Sequence, residues 1–283
     1  MIELIKHFDN WVFIYPEEME KVFDEYWEAL NFLDFNEKEC QKRLRSIIKK
    51  FPESHMDAYV HISISYRNQK KIDESLHYAL TAYLIGKNAF PKEFDLKEDE
   101  ILWIDLNNRP FLRACQNLGL EYQHLKNYKR AIELYNENLL YNKNDNQGIR
   151  YLLLECYLES KDYKGFKNLL DRYNDDYSVE FLYGKVIYDI LQNKGENAME
   201  LVAKAVECNK HIPSELAKDK HYKPDPYRIP GEPNFDAGIP IGSIQQSYEY
   251  WARNKKTLSS KKIREFFLKY VNLNQNQLNE SLH

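Results

Sequence analysis

Glycine is scarce in this chain, nine residues in 283, which excludes glycine-repeat fibres and flexible low-complexity spacers. Cysteine is rarer still. The four, at 40, 115, 156 and 208, stand far apart with no CxxC pair, so neither a zinc ribbon nor a disulfide framework is expected, and they read as small buried hydrophobes in a reducing compartment. No charge dominates: 40 basic against 44 acidic residues leave a net charge of −4, which gives no global pull toward nucleic acid or an anionic membrane. Long apolar runs are missing as well. The longest near the start, Trp11 to Tyr15, has five residues, too few for a leader's core or a membrane span, so a cytoplasmic setting is expected. The eight histidines form no HExxH, and there is no GxSxG, phosphate loop or dinucleotide fingerprint. No catalytic residue, metal site or cofactor is therefore expected.

What the chain has in quantity is aromatic side chains, 14% of the sequence with 22 tyrosines, suited to helix seams where a ring fills a gap and its hydroxyl reaches water. They fall at a recurring spacing. Cys115-x2-Leu118-Gly119-x2-Tyr122 followed by Ala131-x3-Tyr135 fits the helix-turn-helix pattern of a 34-residue tetratricopeptide repeat. A step of 34 carries Leu118 to Leu152 and Val186, and Tyr122 to Cys156 and Ile190. All are apolar. The close-packing position steps from Ala131 to Gly165, then to Ala198 after a one-residue deletion, and each is small, as close approach of two helices demands. Backwards, 22 extra residues align Ile62, Tyr66, Ser75 and Ala79 with Leu118, Tyr122, Ala131 and Tyr135.

The expected fold is all-α: a right-handed solenoid of tetratricopeptide repeats with an irregular proline-rich segment and a helical C-terminal cap. Residues 1–55 are read as an N-terminal helical cap with a degenerate repeat, 1–35 having aromatics at spacings compatible with helix. Repeats are expected at 56–89, 112–145, 146–179 and 180–213. An ordered insertion at 90–111 should pack against the helices, since loops of this length are uncommon unless functional or self-packed. From 214 to 283 come the proline-rich segment and C-terminal helices. Pro224, Pro226, Pro230, Pro233 and Pro240 make 222–242 extended and irregular, helix resumes at Ser243 with Gln246 at capping-box spacing, a last helix spans 259–271, and the polar end frays.

Three strings, Asn108-Arg109-Pro110-Phe111-Leu112-Arg113, Asn144 through Tyr151 and Asn209-Lys210-His211-Ile212-Pro213, resemble in this order motifs of the suppressor-of-tumorigenicity family and its bacterial tetratricopeptide relatives. A Gly-led helix ending in Tyr and Trp, Gly242 to Trp251, adds to the resemblance, which covers about 100–255. It implies the repeat fold and no established reaction. The membrane spans of the eukaryotic members are lacking here, so their location is not implied.

Such repeats present a concave surface to a protein or peptide, so a non-enzymatic scaffold or adaptor is the expected function. Candidate groove residues are Arg113, Gln116, Leu120, Gln123, His124, Gln147, Arg150, Leu154 and Tyr157. The carboxylate clamp of chaperone-binding repeats needs Lys and Asn at positions occupied here by Val60, Ile64, Gln116, Leu120, Arg150 and Leu154. Only Arg150 has suitable charge, which argues against that partner. Arg109, Arg113 and Arg150 form a possible anion contact. The structural reading of the same cluster is preferred: Asp145 caps a helix beginning at Asn146, Gly148 permits close packing, and the arginines bond loop carbonyls. A second function class is nucleic-acid association through 253–264, which holds six basic residues and no acid; its plainer reading is a solvated helix end. Oligomeric state is left open by the sequence.

Overall fold

The computed structural model describes residues 1–229, 231–236 and 238–280; Pro230 and the last three residues of the polar end lie outside them. The chain forms two compact units, residues 1–156 and 157–283.

The first unit opens with a β-hairpin, β1 (Glu3–His7) and β2 (Asn10–Ile14), where helix was expected. Leu4 faces Phe13 and Ile5 faces Val12 in an antiparallel register. The buried residues Ile2, Leu4, Trp11 and Phe13 alternate with more exposed neighbours, the period of a strand. Phe8, at φ +53°, makes the tight turn. Helices then follow in order: α1 (Phe23–Leu30), α2 (Glu37–Lys50), α3 (Met56–Asn68), α4 (Ile72–Asn88), α5 (Arg109–His124), α6 (Tyr128–Tyr141) and α7 (Ile149–Ser160), inside which the division between units falls. From α1 to α6 each helix packs on the next.

The second unit continues with α8 (Tyr163–Arg172), α9 (Val179–Leu191), α10 (Gly195–Ala205), α11 (Ile212–Leu216), a short antiparallel pair β3 (Arg228–Ile229) and β4 (Glu232–Asp236), then α12 (Ile244–Arg253), α13 (Lys255–Leu258) and α14 (Lys261–Glu280). Two expectations change here. The proline-rich stretch is not wholly irregular, because β3 pairs with β4, and the last helix runs on to Glu280 rather than stopping near 271.

One turn recurs four times, after α3, α5, α7 and α9. Lys70, Lys126, Lys161 and Asn193 take φ of +59°, +58°, +62° and +61°. In each case the following N–H reaches back to close the helix: Lys71 to the Tyr66 carbonyl at 3.0 Å, Asn127 to Tyr122 at 2.8 Å, Asp162 to Tyr157 at 3.0 Å and Lys194 to Asp189 at 2.8 Å. This is the Schellman closure, which satisfies carbonyls that a helix end leaves without partners. The residue that closes one helix starts the next. Asn127 and Asp162 also use their side chains to cap the Arg130 and Gly165 N–H groups, at 3.3 and 2.9 Å.

These turns define the repeat register, and it is one residue off the 34-residue stepping. Lys161 lies 35 residues after Lys126, so Tyr157 and not Cys156 corresponds to Tyr122, and Leu153, 1% exposed, corresponds to Leu118. Phe166, whose N–H meets the Asp162 carbonyl as that of Ala131 meets Asn127, takes the place assigned to Gly165. The shift escaped detection because Leu152, Leu153 and Leu154 are all apolar.

Within the α5–α6 pair, Gly119 is there for space. A Cβ built on it would lie 2.3 Å from a ring carbon of Tyr135, a fully buried side chain whose hydroxyl donates to Gln123 Oε1 at 2.8 Å. The insertion is ordered. Its Phe90 and Phe94 pack with Phe111, Phe13 and Tyr141 at centroid distances of 5.1–6.2 Å, and Ile101 N–H donates to the Tyr141 carbonyl at 2.7 Å. Gly119→Ala is expected to lower the unfolding free energy by about 1–3 kcal/mol through overpacking against Tyr135, read from urea denaturation with the helical circular-dichroism signal as probe.

Candidate partner-binding surface

Helices α3 and α5 present equivalent faces to each other, and polar side chains tie them. Asp57 of α3 forms a two-point ion pair with Arg113 of α5, whose Nε donates to Asp57 Oδ1 at 2.9 Å. Lower down, Arg67 Nη1 donates to Glu121 Oε1 at 2.5 Å and Asn117 Oδ1 at 3.0 Å, while Asn117 Nδ2 donates to Ser63 Oγ at 2.9 Å. Glu121 is 2% exposed, a burial its charge tolerates only with such partners. From α5 onward the ties continue: Gln147 Nε2 donates to Gln116 Oε1 at 2.8 Å, and Gln123 Nε2 to Glu155 Oε2 at 3.1 Å.

With the register corrected, the positions on α7 equivalent to Gln116 and Leu120 are Tyr151 and Glu155, in place of Arg150 and Leu154. Leu154 is 4% exposed and belongs to the core. Sequence stepping missed Tyr151 and Glu155 for the same reason it missed the shift. Of the candidate residues on α5, Arg113, Gln116, Leu120 and Gln123 are half-buried and His124 is exposed. His124 Nδ1 hydrogen-bonds the Leu120 carbonyl at 2.7 Å. Tyr157 lies in the second unit, its ring covering Gly165, where a Cβ would lie 2.4 Å from a ring carbon.

The three candidate anion-binding arginines are each engaged separately. Arg109 Nε donates to the Trp103 carbonyl at 2.9 Å and its guanidinium lies over the Trp103 ring. Arg113 holds Asp57. Arg150 Nη1 donates to Asp145 Oδ2 at 2.8 Å and Nη2 to the Tyr151 hydroxyl at 2.6 Å. Loop-carbonyl bonding thus describes Arg109, whereas Arg113 and Arg150 meet carboxylates. Asp145 also accepts from Ile149 N–H at 2.6 Å and Arg150 N–H at 3.1 Å, so the helix it caps begins at Ile149 rather than Asn146. Gly148 serves by its φ of +69°, a left-handed conformation that a side chain would strain, and not by close packing of helices.

The other motif residues are internal ties as well. Asn108, fully buried, offers its amide to the outer edge of β2 as a neighbouring strand would: Phe13 N–H donates to Oδ1 at 3.1 Å, and Nδ2 donates to the Trp11 carbonyl at 3.0 Å. Asn209 does a similar job in the second unit, donating to the Ser243 carbonyl at 3.0 Å and to Gln246 Oε1 at 2.9 Å. Ser243 caps the Gln246 N–H at 3.1 Å, as its spacing predicts, but the Gln246 side chain accepts from Gly242 N–H at 2.8 Å, one residue outside the usual box.

The basic stretch 253–264 folds back on helix ends of the second unit. Lys256 Nζ donates to the Glu159 carbonyl near the end of α7 at 3.4 Å, and Lys262 Nζ to the Leu191 carbonyl at the end of α9 at 2.9 Å. Cations at the C-terminal ends of helices oppose the partial negative charge there. Arg264 pairs with Asp219. Among the described residues no group of three or more His, Cys, Asp or Glu is placed to hold a metal, and no helix is long and apolar enough to cross a membrane. The thiols of Cys40, Cys115 and Cys156 are buried; burial pushes Cys40 up to about 11 and Cys115 well above the usual thiol range.

Consecutive packed helices closed by the same turn, with a small N-terminal hairpin, define a tetratricopeptide-like repeat fold. A tetratricopeptide repeat protein from Parabacteroides merdae ATCC 43184 superposes with a TM-score of 0.51 at 15% identity, over 68% of this chain and 67% of that one. Nearly identical TPR-like repeats from Podosopora anserina, described as a kinesin light chain, give 0.49 at 10% identity over 68% of this chain and 96% of theirs. No protein-family model and no curated protein matches the chain. The likenesses concern the fold alone.

Beside the Asp57–Arg113 pair, burial holds His55 and His61 below the ordinary histidine value of 6.5, outweighing the opposite pull of Asp57. His61 Nδ1 lies 2.8 Å from the Asp57 carbonyl, which only accepts, so the neutral ring carries its proton on that nitrogen. The unfolded chain therefore takes up protons near 6.5 that the folded chain does not. Stability is expected to be full above about pH 6.5 and to fall as pH drops through the depressed folded values, by up to about 1.4 kcal/mol per pH unit for each ring. Urea midpoints at about pH 7.5 and about pH 5 should show this loss, and His61→Gln should reduce it.

Proposed function

We propose that this chain is a non-enzymatic interaction module that binds a protein or peptide partner along the face shared by α3, α5 and α7. The observation that carries this reading is the solvent-facing stripe Gln116, Leu120, Gln123 and His124 on α5, set on helices whose mutual spacing is held by the Asp57–Arg113 and Gln123–Glu155 ties. A surface pre-positioned in this way loses little freedom when it binds. Alternating apolar and hydrogen-bonding groups suit an amphipathic peptide. Tyr151 and the open third of Arg113 extend the stripe. Arg109 and Arg150 enter the proposal as supports of the surface.

The same reading assigns the chain to a cytoplasmic, reducing setting, on its four widely spaced free thiols, and to kinship with the bacterial tetratricopeptide relatives of the suppressor-of-tumorigenicity family, on the three motif strings. Nucleic-acid association through 253–264 is the weaker alternative, because Lys256, Lys262 and Arg264 already have partners within the chain.

Leu120→Glu combined with His124→Ala is expected to leave thermal unfolding unchanged within about 0.5 kcal/mol, as surface substitutions do, and to abolish capture of nuclease-resistant protein partners from native cells by the tagged chain. Gln123 is left intact in this variant because Tyr135 and Glu155 both bond it. Undiminished capture by the variant would remove α5 from the binding surface, and capture lost on nuclease treatment would move the assignment to 253–264.

A further inference from the structure

Helix α1 is packed on one side only. Tyr26 and Ala29 are buried, whereas Phe23 and Trp27, one helical turn apart, are 59% and 52% exposed. Their rings meet edge to face with centroids 6.0 Å apart, and Tyr26 meets Trp27 in the same manner at 5.4 Å, so about half of the indole is left to water. Two large aromatics in contact make a contiguous apolar patch in solvent, the kind of feature that marks interaction sites where singly scattered hydrophobics do not.

The surroundings of the pair say what kind of contact. Residues 17–28 contain six carboxylates and a single lysine. Glu25 is bound to Lys50 at 2.8 Å and Glu28 to Arg43 at 3.1 Å. Glu17, Glu18, Glu20 and Asp24 make no ion pair among the described residues. Asp24 sits in the first turn of α1 and has a local explanation in the positive end of the helix. Glu17, Glu18 and Glu20 lie likewise in the first turn of a 3-10 helix, Glu17–Val22, that leads into α1; a helix end accounts for single carboxylates and not for the exposed rings beside them.

We propose that this face of α1 docks a basic amphipathic segment of a partner protein. Its Lys or Arg side chains would lie over Trp27, the best side-chain platform for a cation, and between Glu20 and Asp24, with its apolar residues on Phe23. A second copy of this chain is the poorer occupant: a two-fold contact through α1 would set each acidic cluster against its twin. This surface is separate from the α3–α5–α7 face and does not depend on it.

The probe is a synthetic peptide about four helical turns long built of Lys and Leu at helical spacing, and its twin with Glu for Lys, each titrated into the full chain by fluorescence anisotropy. The Lys peptide is expected to bind, with affinity falling as salt is raised, and the Glu twin not to bind. Phe23→Ser with Trp27→Ser, and separately Glu20→Lys with Asp24→Lys, should each weaken binding about tenfold or more, a difference of about 1.4 kcal/mol. Leu120→Glu should leave it unchanged. All these positions are solvent-exposed or half-buried, and thermal unfolding of each variant reports whether the fold is retained. Equal binding of both peptides, or indifference to both double variants, overturns the proposal. So does a concentration-dependent dimer that the Phe23/Trp27 variant dissolves, which would make a second copy the occupant.

Discussion

A helix end leaves carbonyl groups without partners, and in this protein that single constraint organises more of the structure than any other. Four times a residue in the left-handed conformation bends the chain so that its own N–H and the next one return to those carbonyls. The same bend aims the chain into the following helix. The angle between paired helices, the register of the repeat and the row of side chains each helix presents all descend from it. Even the basic C-terminal stretch answers the same need, since Lys256 and Lys262 reach carbonyls at the ends of α7 and α9 that the turn does not use. Two lysines of a run that reads in sequence as a contact for phosphate thus meet helix ends in the fold.

The turn residues are Lys, Lys, Lys and Asn rather than glycine. Each accepts a conformation that costs about 1–2 kcal/mol for a residue with a Cβ, and the cost is offset by the two backbone hydrogen bonds and the packing of the helices they join. This is why a chain with nine glycines can still build such turns, and why glycine in the repeat serves elsewhere. Gly119 is spent on the approach of Tyr135, and Gly148 on a left-handed bend ahead of α7.

Polar residues that stood out as motifs are mostly internal fasteners. Asn108, Asp145 and Asn209 each satisfy two or more backbone groups while nearly or wholly excluded from water. Buried polar groups must be paired, and side chains able to pair with several backbone groups at once are few, which confines these positions to Asn and Asp. The face proposed for a partner is read from the side chains that these ties leave partly open. Arg113, Gln123 and Arg150 are tied to Asp57, Glu155 and Asp145, and Gln116 to Gln147, so the proposed stripe on α5 offers a ligand chiefly Leu120, His124 and the open parts of these tied side chains.

The sequence by itself determined that the chain folds as stacked helix pairs, because the alternation of small and large residues at Ala131, Tyr135, Leu118 and Gly119 is a local demand of one helix crossing another. It also determined where α12 begins, through Ser243, since capping depends on residues only three positions apart. Only the tertiary structure decided the rest. The N-terminal aromatics fit a helical spacing as well as a strand one, and pairing with Asn108, nearly a hundred residues away, made them a hairpin. The register of α7 was invisible within a run of apolar residues, and the turn at Lys161 settled it. Whether an arginine is a binding group or a brace depends on which carboxylate lies beside it in space, and that distance is not written in the order of the residues.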